Sequence, residues 1–402
     1  MDNFNIIKDI ETNENTLLNE FLLNEIDSYK ERTKTSYELY QRALHHVPNG
    51  VSSDYQLFEP YPFYVDIGSK SCVIDVDNNK LIDFHGGFGV TLFGYCHPYI
   101  IDVSNKLTSE QGFLVSLPST KLVEVSEMMT NIYQLPYWRY TNSGTEATLD
   151  AIRIARAKYD RPYIIKVESG YHGHHDGVWV SVHAGKRDIN DTDIPSVPYC
   201  SGIPSNTSSL TLIAEYNNID SIKQLLLKHP NEIACVIVEP VLLNCSMIKP
   251  KNNYLQSLIE LCRSNDVIII FDLVKINTGI NIKNITKFWS SNDNAGPDMY
   301  TFGKGLSGGN CPIGAIGMTE EFAKLIQSRK VQVAGTYYGN SYALGLVHAV
   351  LKYVSEEKQK ELERFLIHIF FFHHFLDDVS TLPSFYIMPL NVLYLLFMCY
   401  YD

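Results

Sequence analysis

The order of apolar and polar positions changes character near residue 136. Beyond that point, short apolar runs typical of buried strands alternate with segments whose apolar residues recur at helical spacing. In chain order these runs are YWRYTN, TEATLDAIRIARAKY, YIIKVE, ACVIVEP, YLQSLIELCRSN, VIIIFD, MYTFGK and IGAIGM. The alternation predicts an α/β domain built on a mostly parallel sheet. Right-handed crossovers would bring the carboxyl ends of its strands to one edge, where ligands bind in such folds.

The chain before this point follows a different pattern. Residues 1–35 are rich in Asn, Asp and Glu, so we predict a flexible acidic segment with a marginal helix over 17–26. A second helix, TSYELYQRALHHV, is predicted to end at the turn formed by residues 48–50. Short strands should follow in the runs FYVDIG, CVIDVD and KLIDF, the last two joined by a turn at residues 77–79.

The end of the sequence fits neither pattern. From Phe365, the runs FLIHIFFFHHFL and PSFYIMPLNVLYLLFMCYY keep neither the helical nor the strand period for long. Three interpretations stay open: a membrane span at 383–401, a genuine core segment, or a terminus not shaped by selection for this fold. A span of borderline length that contains Pro383, Pro389 and Asn391 is disfavoured, and we prefer the third interpretation.

Composition adds mainly exclusions. The chain has 402 residues, enough for two or three domains, and 45% hydrophobic with 19% charged residues is ordinary for a soluble enzyme. With 33 basic and 45 acidic residues, the net charge of −12 argues against a nucleic-acid partner. The eight cysteines form no CxxC pair, so neither a zinc site nor a disulfide framework is expected. The acidic N-terminus lacks the pattern of a signal peptide, and we expect a cytoplasmic protein.

The first candidate binding segment is NSGTEA, at residues 142–147. Ser143, Gly144 and Thr145 follow a predicted strand and lead straight into a predicted helix. Free amides at the helix N-terminus, the helix dipole and two hydroxyls would bind an anion of phosphate size. Simple capping of the helix, with Glu146 in its first turn, would explain the same residues. Both interpretations stay open.

Two charged residues end apolar strands. Asp272 closes VIIIFD, where a carboxylate needs a cationic partner such as the protonated pyridine nitrogen of pyridoxal phosphate (PLP), unless it merely forms a turn. Lys304 closes MYTFGK and is followed by glycines, so a partly desolvated amine there could form a Schiff base with an aldehyde, unless it simply faces solvent. The nearest competitor, Lys275, lies in the polar run KINTGINIK and is predicted to be solvated.

A third segment, YHGHHDG, supplies an aromatic ring and three histidines. Tyr171 could stack on a flat heterocycle. A metal site formed by His172, His174 and His175 is the alternative. Adjacent histidines in a glycine-rich loop rarely point at one ion, so we do not expect a metal.

Together these segments resemble the class-III, fold-type-I PLP aminotransferases, and among them the glutamate-1-semialdehyde aminomutases. The resemblance runs from about Tyr37 to Leu351 and rests on NSGTEATLDAIRIARA, YHGHHDG, VIVEPV with Asn244, IIIFD, PDMYTFGKGLSGG and AGTYYGNSYAL. These motifs are specific jointly rather than singly. The resemblance implies an enzyme that moves an amino group of a small substrate with PLP as its cofactor.

The resemblance also implies roles for individual residues in holding PLP. Ser143, Gly144 and Thr145 would bind its phosphate, and Tyr171 would stack on its ring with His172 beside it.

Further roles follow on the later strands. Glu239 and Asn244 would line the cofactor site, Asp272 would pair with the pyridine nitrogen, and Val274 would pack on the other ring face. Lys304 would form the internal aldimine and move the substrate proton, which makes Lys304 and Asp272 the catalytic candidates.

Thr336, in AGT, would reach the phosphate of a neighbouring subunit, which implies a homodimer. Ser53, Gln56 and Phe88 are the substrate-site candidates, and two of them depart from the family pattern. Where that pattern reads GVNSPVRAF, this chain reads GVSSDYQLF, so Gln56 replaces the arginine that would hold a substrate carboxylate. Phe88, in GGFG, stands where the aminomutases have the tryptophan of GSWG.

The implied architecture is an α/β, fold-type-I PLP transferase whose small domain looks incomplete at the C-terminus. After the flexible segment 1–35, residues 36–100 would form the N-terminal part of the small domain and the entry to the large one. Residues 101–340 would form the PLP-binding large domain. An interdomain helix at 341–364 and an atypical apolar tail at 365–402 would follow. Two alternatives to an active enzyme remain: a PLP-binding but inactive truncated homologue, and a membrane-attached interaction protein.

Overall fold

The computed structural model describes residues 16–183, 194–245, 247–276 and 296–354. Within these residues the chain forms two compact units. The first comprises 16–85 and 94–97, and the second comprises 86–93 and 98–354. The predicted apolar tail at 365–402 lies outside the described residues.

The first unit pairs two helices with a small sheet. Helices α1 (Thr16–Arg32) and α2 (Lys34–Ala43) precede an antiparallel sheet of β1 (Val65–Ser69), β2 (Cys72–Asp75) and β3 (Lys80–Ile82), and single turns of 3₁₀ helix lie at Pro48–Gly50 and Asp54–Gln56.

Helix α1 contains the helix predicted over 17–26, and it corrects the prediction of a flexible segment for the remaining residues up to Arg32. Tyr29, near the end of this helix, is buried against Tyr61. Its hydroxyl donates a hydrogen bond of 2.7 Å to the carbonyl oxygen of Tyr61. The helix is also longer than the predicted 17–26, because an aromatic anchor near its end holds it to the rest of the unit.

The second unit is a sheet covered by helices. Its helices are α3 (Pro98–Lys106), α4 (Thr120–Tyr133), α5 (Gly144–Tyr159), α6 (Ile219–Lys228), α7 (Tyr254–Ser264), α8 (Glu320–Gln327) and α9 (Ser341–Tyr353). Single helical turns lie at Gly86–Gly89, Leu107–Gln111, Ser205–Ser208 and Lys304–Ser307. Its strands are β4 (Tyr137–Thr141), β5 (Tyr163–Val167), β6 (Thr211–Ala214), β7 (Ile233–Val238), β8 (Ile268–Asp272), β9 (Met299–Phe302) and β10 (Gly314–Met318).

The seven strands form one sheet in the order β4-β10-β9-β8-β7-β5-β6. Strand β10 runs antiparallel to both of its neighbours, and the other pairings, β9-β8, β8-β7, β7-β5 and β5-β6, are parallel. The predicted mostly parallel sheet is therefore confirmed.

Helices cover both faces of this sheet, which explains why its central strands read as continuous apolar runs. On one face, α4, α6, α7 and α9 pack against side chains such as Val236 and Val238 of β7. On the other face, α5 and α8 pack against Cys235 and Ile237, the alternate side chains of the same strand. Helix α5 buries Ala147, Ala151 and Ala155 in this layer.

Candidate active site

The strand ends meet at a cavity of about 480 Å³ in the second unit. The cavity is lined by most of the residues that the motifs single out, namely Ser143, Gly144, Thr145, Tyr171, His172, Glu239, Asp272, Val274 and Lys304. They come from the segments that follow β4, β5, β7, β8 and β9. A volume of this size is typical of pockets that hold a small-molecule ligand.

Lys304 lies at the end of β9, where the chain enters a short 3₁₀ turn. Its backbone φ of 48° is in the left-handed region, which lysine adopts at a cost and which is often seen at functional sites. Burial lowers the pKa of the Lys304 amine from its ordinary value, while the carboxylates of Asp272 and Glu239 counteract part of that effect. The Lys304 Nζ is 5.9 Å from the centroid of the Phe88 ring. The cavity therefore contains an amine that is more readily deprotonated than a surface lysine.

Asp272, at the end of β8, is a buried carboxylate with several hydrogen-bond donors. Its Oδ1 accepts from the backbone N–H of Val274 and from the Thr301 hydroxyl, both at 3.0 Å. Its Oδ2 is 2.8 Å from His172 Nδ1, which donates because the carboxylate can only accept. The Nε2 of His172 has no hydrogen-bond partner among the described residues. These bonds fix the orientation of the carboxylate that faces the cavity.

The turn before α5 brings the backbone close to the strand-end residues. An added Cβ at Gly144 would lie 2.8 Å from both γ-carbons of Val274, so glycine alone fits there without displacement. The backbone N–H groups of Gly144 and Thr145 lie in the first turn of α5, where no intrahelical acceptor exists for them. These amides could bind an anion.

Ser143, by contrast, has a capping role in the structure. Its hydroxyl oxygen accepts from the Glu146 N–H at 3.2 Å, and Glu146 Oε2 accepts from the Asn142 N–H at 2.7 Å. The capping interpretation is therefore confirmed for Ser143, and it is compatible with anion binding by the two amides that follow.

Glu239 links the end of β7 to the segment that carries Tyr171. The buried Glu239 accepts a hydrogen bond from the Tyr171 N–H through Oε1 at 3.1 Å. Burial raises the pKa of the Glu239 carboxyl, while His172 acts in the opposite direction. Glu239 thus helps to hold Tyr171 at the cavity.

The three histidines of YHGHHDG point to different partners. His172 contacts Asp272, and His174 Nδ1 lies 3.2 Å from the Thr145 hydroxyl. The His175 side chain lies beside the Thr148 hydroxyl, and burial lowers its pKa to about 3. Within the described residues, no group of three His, Cys, Asp or Glu side chains could hold a metal ion.

Three predicted residues of the second unit do not line the cavity, namely Phe88, Asn244 and Thr336. Asn244 is exposed, and its Oδ1 accepts from the Lys275 ammonium. Thr336 is exposed, and its carbonyl oxygen accepts from the Ser116 hydroxyl at 3.1 Å.

Ser53 and Gln56 belong to the first unit. Gln56 Oε1 accepts from the N–H groups of Ser52 and Ser53 at 3.1 and 3.2 Å, so this side chain closes a local turn.

Lys275 overturns the prediction that it is solvated. It lines the same cavity as Lys304, and burial lowers its pKa below the ordinary value. The polar residues that follow Lys275 favour a solvated side chain and so conceal its burial. Lys275 lies three residues after Asp272, close to the end of an apolar strand, and this position is the signal in the sequence that indicates a place at the cavity.

Comparison with known proteins agrees with this arrangement. The sequence model of the family described as "Aminotransferase class-III" matches residues 58–366. The chain belongs to this family.

Several curated relatives cover most of the chain. It is 36% identical over 334 residues to the glutamate-1-semialdehyde 2,1-aminomutase of Methanosphaera stadtmanae, a match that covers 82% of this chain and 75% of the relative. It is 34% identical over 336 residues to the enzyme of the same name from Thermoplasma volcanium, covering 82% and 76%.

Solved structures show the same fold. An omega-transaminase from Sphaerobacter thermophilus superposes with a TM-score of 0.73 at 25% identity, covering 80% of this chain and 73% of the other. A transaminase with PLP bound superposes with a TM-score of 0.71 at 26% identity, covering 81% and 74%. The α/β, fold-type-I architecture implied by the motifs is confirmed.

No helix among the described residues has both the length and the apolar content needed to cross a bilayer.

Proposed function

We propose that this chain is a PLP-dependent enzyme that moves an amino group, acting as an aminotransferase or as an intramolecular aminomutase. One observation carries the proposal: a desolvated lysine, Lys304, lines one cavity with the buried carboxylate of Asp272 and the glycine turn at Gly144. The relatives named as glutamate-1-semialdehyde aminomutases and the transaminase with PLP bound support it.

The residues of the cavity fit the aldehyde, the ring nitrogen, the phosphate and the ring faces of PLP. When bound, PLP supplies an aldehyde for the amine and an electron-withdrawing ring that stabilises negative charge on a substrate carbon. The cavity offers an amine, a carboxylate, free amides at a helix N-terminus and a gap lined by a tyrosine and a valine.

Lys304 would attach the cofactor and move the proton. Its lowered pKa leaves more of the amine neutral at physiological pH than at the surface, and only the neutral amine attacks an aldehyde. A substrate amine that displaced it would leave Lys304 at hand to carry a proton between substrate atoms.

Asp272 would hold a positive charge on the pyridine nitrogen. Its carboxylate is already oriented by the Val274 N–H, the Thr301 hydroxyl and His172 Nδ1. Such a pre-oriented carboxylate requires little reorganisation when a cationic partner binds.

The phosphate would lie at the N-terminus of α5. Gly144 and Thr145 are the first two residues of α5 and line the cavity, and the helix dipole favours an anion there. Val274 packs against Gly144 in the same turn and lines the cavity together with Tyr171, so these two side chains would hold the ring.

Turnover tests the proposal. PLP is added to the purified chain and amines are then supplied one at a time while the visible absorbance of the loaded chain is followed. An active enzyme should lose the band with at least one amine, and Lys304→Ala should show neither the band nor its loss. A band that no amine alters would contradict the proposal and favour a PLP-binding but inactive chain.

A homodimer in the cytoplasm is part of the same proposal. Thr336 is exposed and lies outside the cavity of its own chain, as expected of a residue that serves a neighbouring subunit. Cell fractionation tests the location, and a chain recovered in the membrane fraction would contradict it.

A further inference from the structure

Lys275 is a second lysine in the cavity that the proposed reaction does not use. It lies three residues after Asp272, the last residue of β8, and directly after Val274. Its ammonium donates to Asn244 Oδ1, in the loop after β7. Burial lowers its pKa, the proximity of Lys304 acts in the same direction, and Glu239 acts in the opposite direction.

The charge on Lys275 matters because the cofactor would neutralise Lys304. Two lysines line the cavity, and once Lys304 is engaged with an aldehyde, Lys275 is the lining lysine that still carries an ammonium. A partly buried ammonium next to another cation is stabilised when an anion binds beside it. The cavity is therefore suited to a substrate that carries a negative group as well as an amine.

The Lys275 side chain extends away from the turn at Gly144, where the phosphate would bind. Val274 packs against Gly144 at the start of α5, whereas the next residue, Lys275, reaches Asn244 on the loop after β7. In the sheet, β7 lies beside β8, while β4, which leads into Gly144, is separated from β8 by β9 and β10. The ammonium thus lies towards β7, away from the strand that leads into the phosphate turn.

No arginine takes this role among the residues that line the cavity. Gln56, which replaces the arginine of the family pattern, uses its side chain to accept from the backbone of Ser52 and Ser53. A carboxylate in the cavity would need another cation.

We infer that Lys275 is a specificity-determining residue that binds the carboxylate of an amino-acid-like substrate. The inference rests on the proposed function, since it names the substrate class of the same site. It predicts that amines with a distal carboxylate are preferred over the corresponding simple amines.

Binding of an unreactive dicarboxylate tests the inference without turnover. Glutarate is titrated by calorimetry into the PLP-loaded wild type, Lys275→Met, Lys275→Arg and the control Lys249→Met, which removes an exposed lysine. Loss of one charged hydrogen-bond donor should weaken glutarate binding about tenfold or more in Lys275→Met. Lys275→Arg should retain most of the affinity, and Lys249→Met should match the wild type.

Substrate preference gives a second measurement. The ratio of kcat/KM for 5-aminopentanoate to kcat/KM for pentylamine should fall about tenfold in Lys275→Met, because the two amines differ in the carboxylate alone. Lys275→Arg should preserve the ratio.

Two results would overturn the inference. Glutarate affinity in Lys275→Met equal to that of the wild type would remove the ammonium from anion recognition. If Lys275→Met instead lost PLP affinity and kept its glutarate affinity, the Lys275 ammonium would be assigned to the cofactor phosphate. A wild type that loads PLP but converts no amine would refute the proposed function instead, and the calorimetric comparison would still decide the role of Lys275.

Discussion

Asp272 and Lys304 are coupled through charge, and the coupling has a measurable sign. The Asp272 carboxylate raises the pKa of Lys304, opposing the larger effect of burial. A neutral residue at position 272 should therefore lower the pKa of Lys304 further. Because the neutral amine fraction rises with pH, a lower pKa moves that rise to lower pH.

The variant Asp272→Asn tests this at constant side-chain size. We expect the rate at which the unloaded chain captures PLP, followed by absorbance, to reach its plateau at lower pH than in the wild type. We expect amine turnover to fall about ten- to hundred-fold, since a charge-assisted hydrogen bond contributes about 1.5–3 kcal/mol. The exposed Asp102→Asn is the control. An unchanged pH profile together with near-normal turnover would remove Asp272 from the mechanism.

At the scale of elements, the sheet and the residues at its strand ends were predictable from the sequence. The buried strands are contiguous apolar runs, and parallel strands place their carboxyl ends at one edge, so Asp272 and Lys304 were expected to meet. At the start of α5 the sequence is compatible with both an anion site and simple capping, because one serine can cap a helix whether or not a ligand binds nearby. The structure shows the cap at Ser143, and the next two residues, Gly144 and Thr145, line the cavity.

Two features could not be found from periodicity. Helix α1 is held by the aromatic anchor Tyr29, which contributes little to an apolar repeat in a segment rich in polar residues. Lys275 is followed by polar residues in the sequence, yet the loop after β7 covers it with Asn244. Burial of this kind comes from contacts between distant segments, which the local order of residues does not encode.

At the scale of the whole molecule, exposed apolar side chains near Thr336 support the proposal of a dimer. Phe113, Leu117 and Tyr337 are exposed large side chains, and the ring centroids of Phe113 and Tyr337 are 6.1 Å apart. The Ser116 hydroxyl bonds to the Thr336 carbonyl oxygen and so ties the same loops together. An exposed apolar patch of this kind is typical of an interface.

Charge at this patch should separate the subunits. We expect Leu117→Asp to convert a dimer, measured by sedimentation equilibrium, into a monomer that binds PLP about tenfold more weakly, because Thr336 of a second copy would no longer reach the phosphate. Leu227→Asp, at another exposed leucine, on α6, is the control and should change neither property. A monomeric Leu117→Asp chain with wild-type PLP affinity would contradict a shared phosphate site.

The central claim is that Lys304 holds the cofactor, and covalent labelling tests it most directly. The PLP-loaded chain is reduced with borohydride, digested, and mapped by mass spectrometry for the phosphopyridoxyl group. Lys304 and Lys275 lie in the same cavity and both have lowered pKa values, so the experiment decides between two real candidates. The strand-end position of Lys304 beside Asp272 predicts a label on Lys304, retained in Lys275→Met. A label on Lys275, or labelling that survives Lys304→Ala at the wild-type level, would contradict the account.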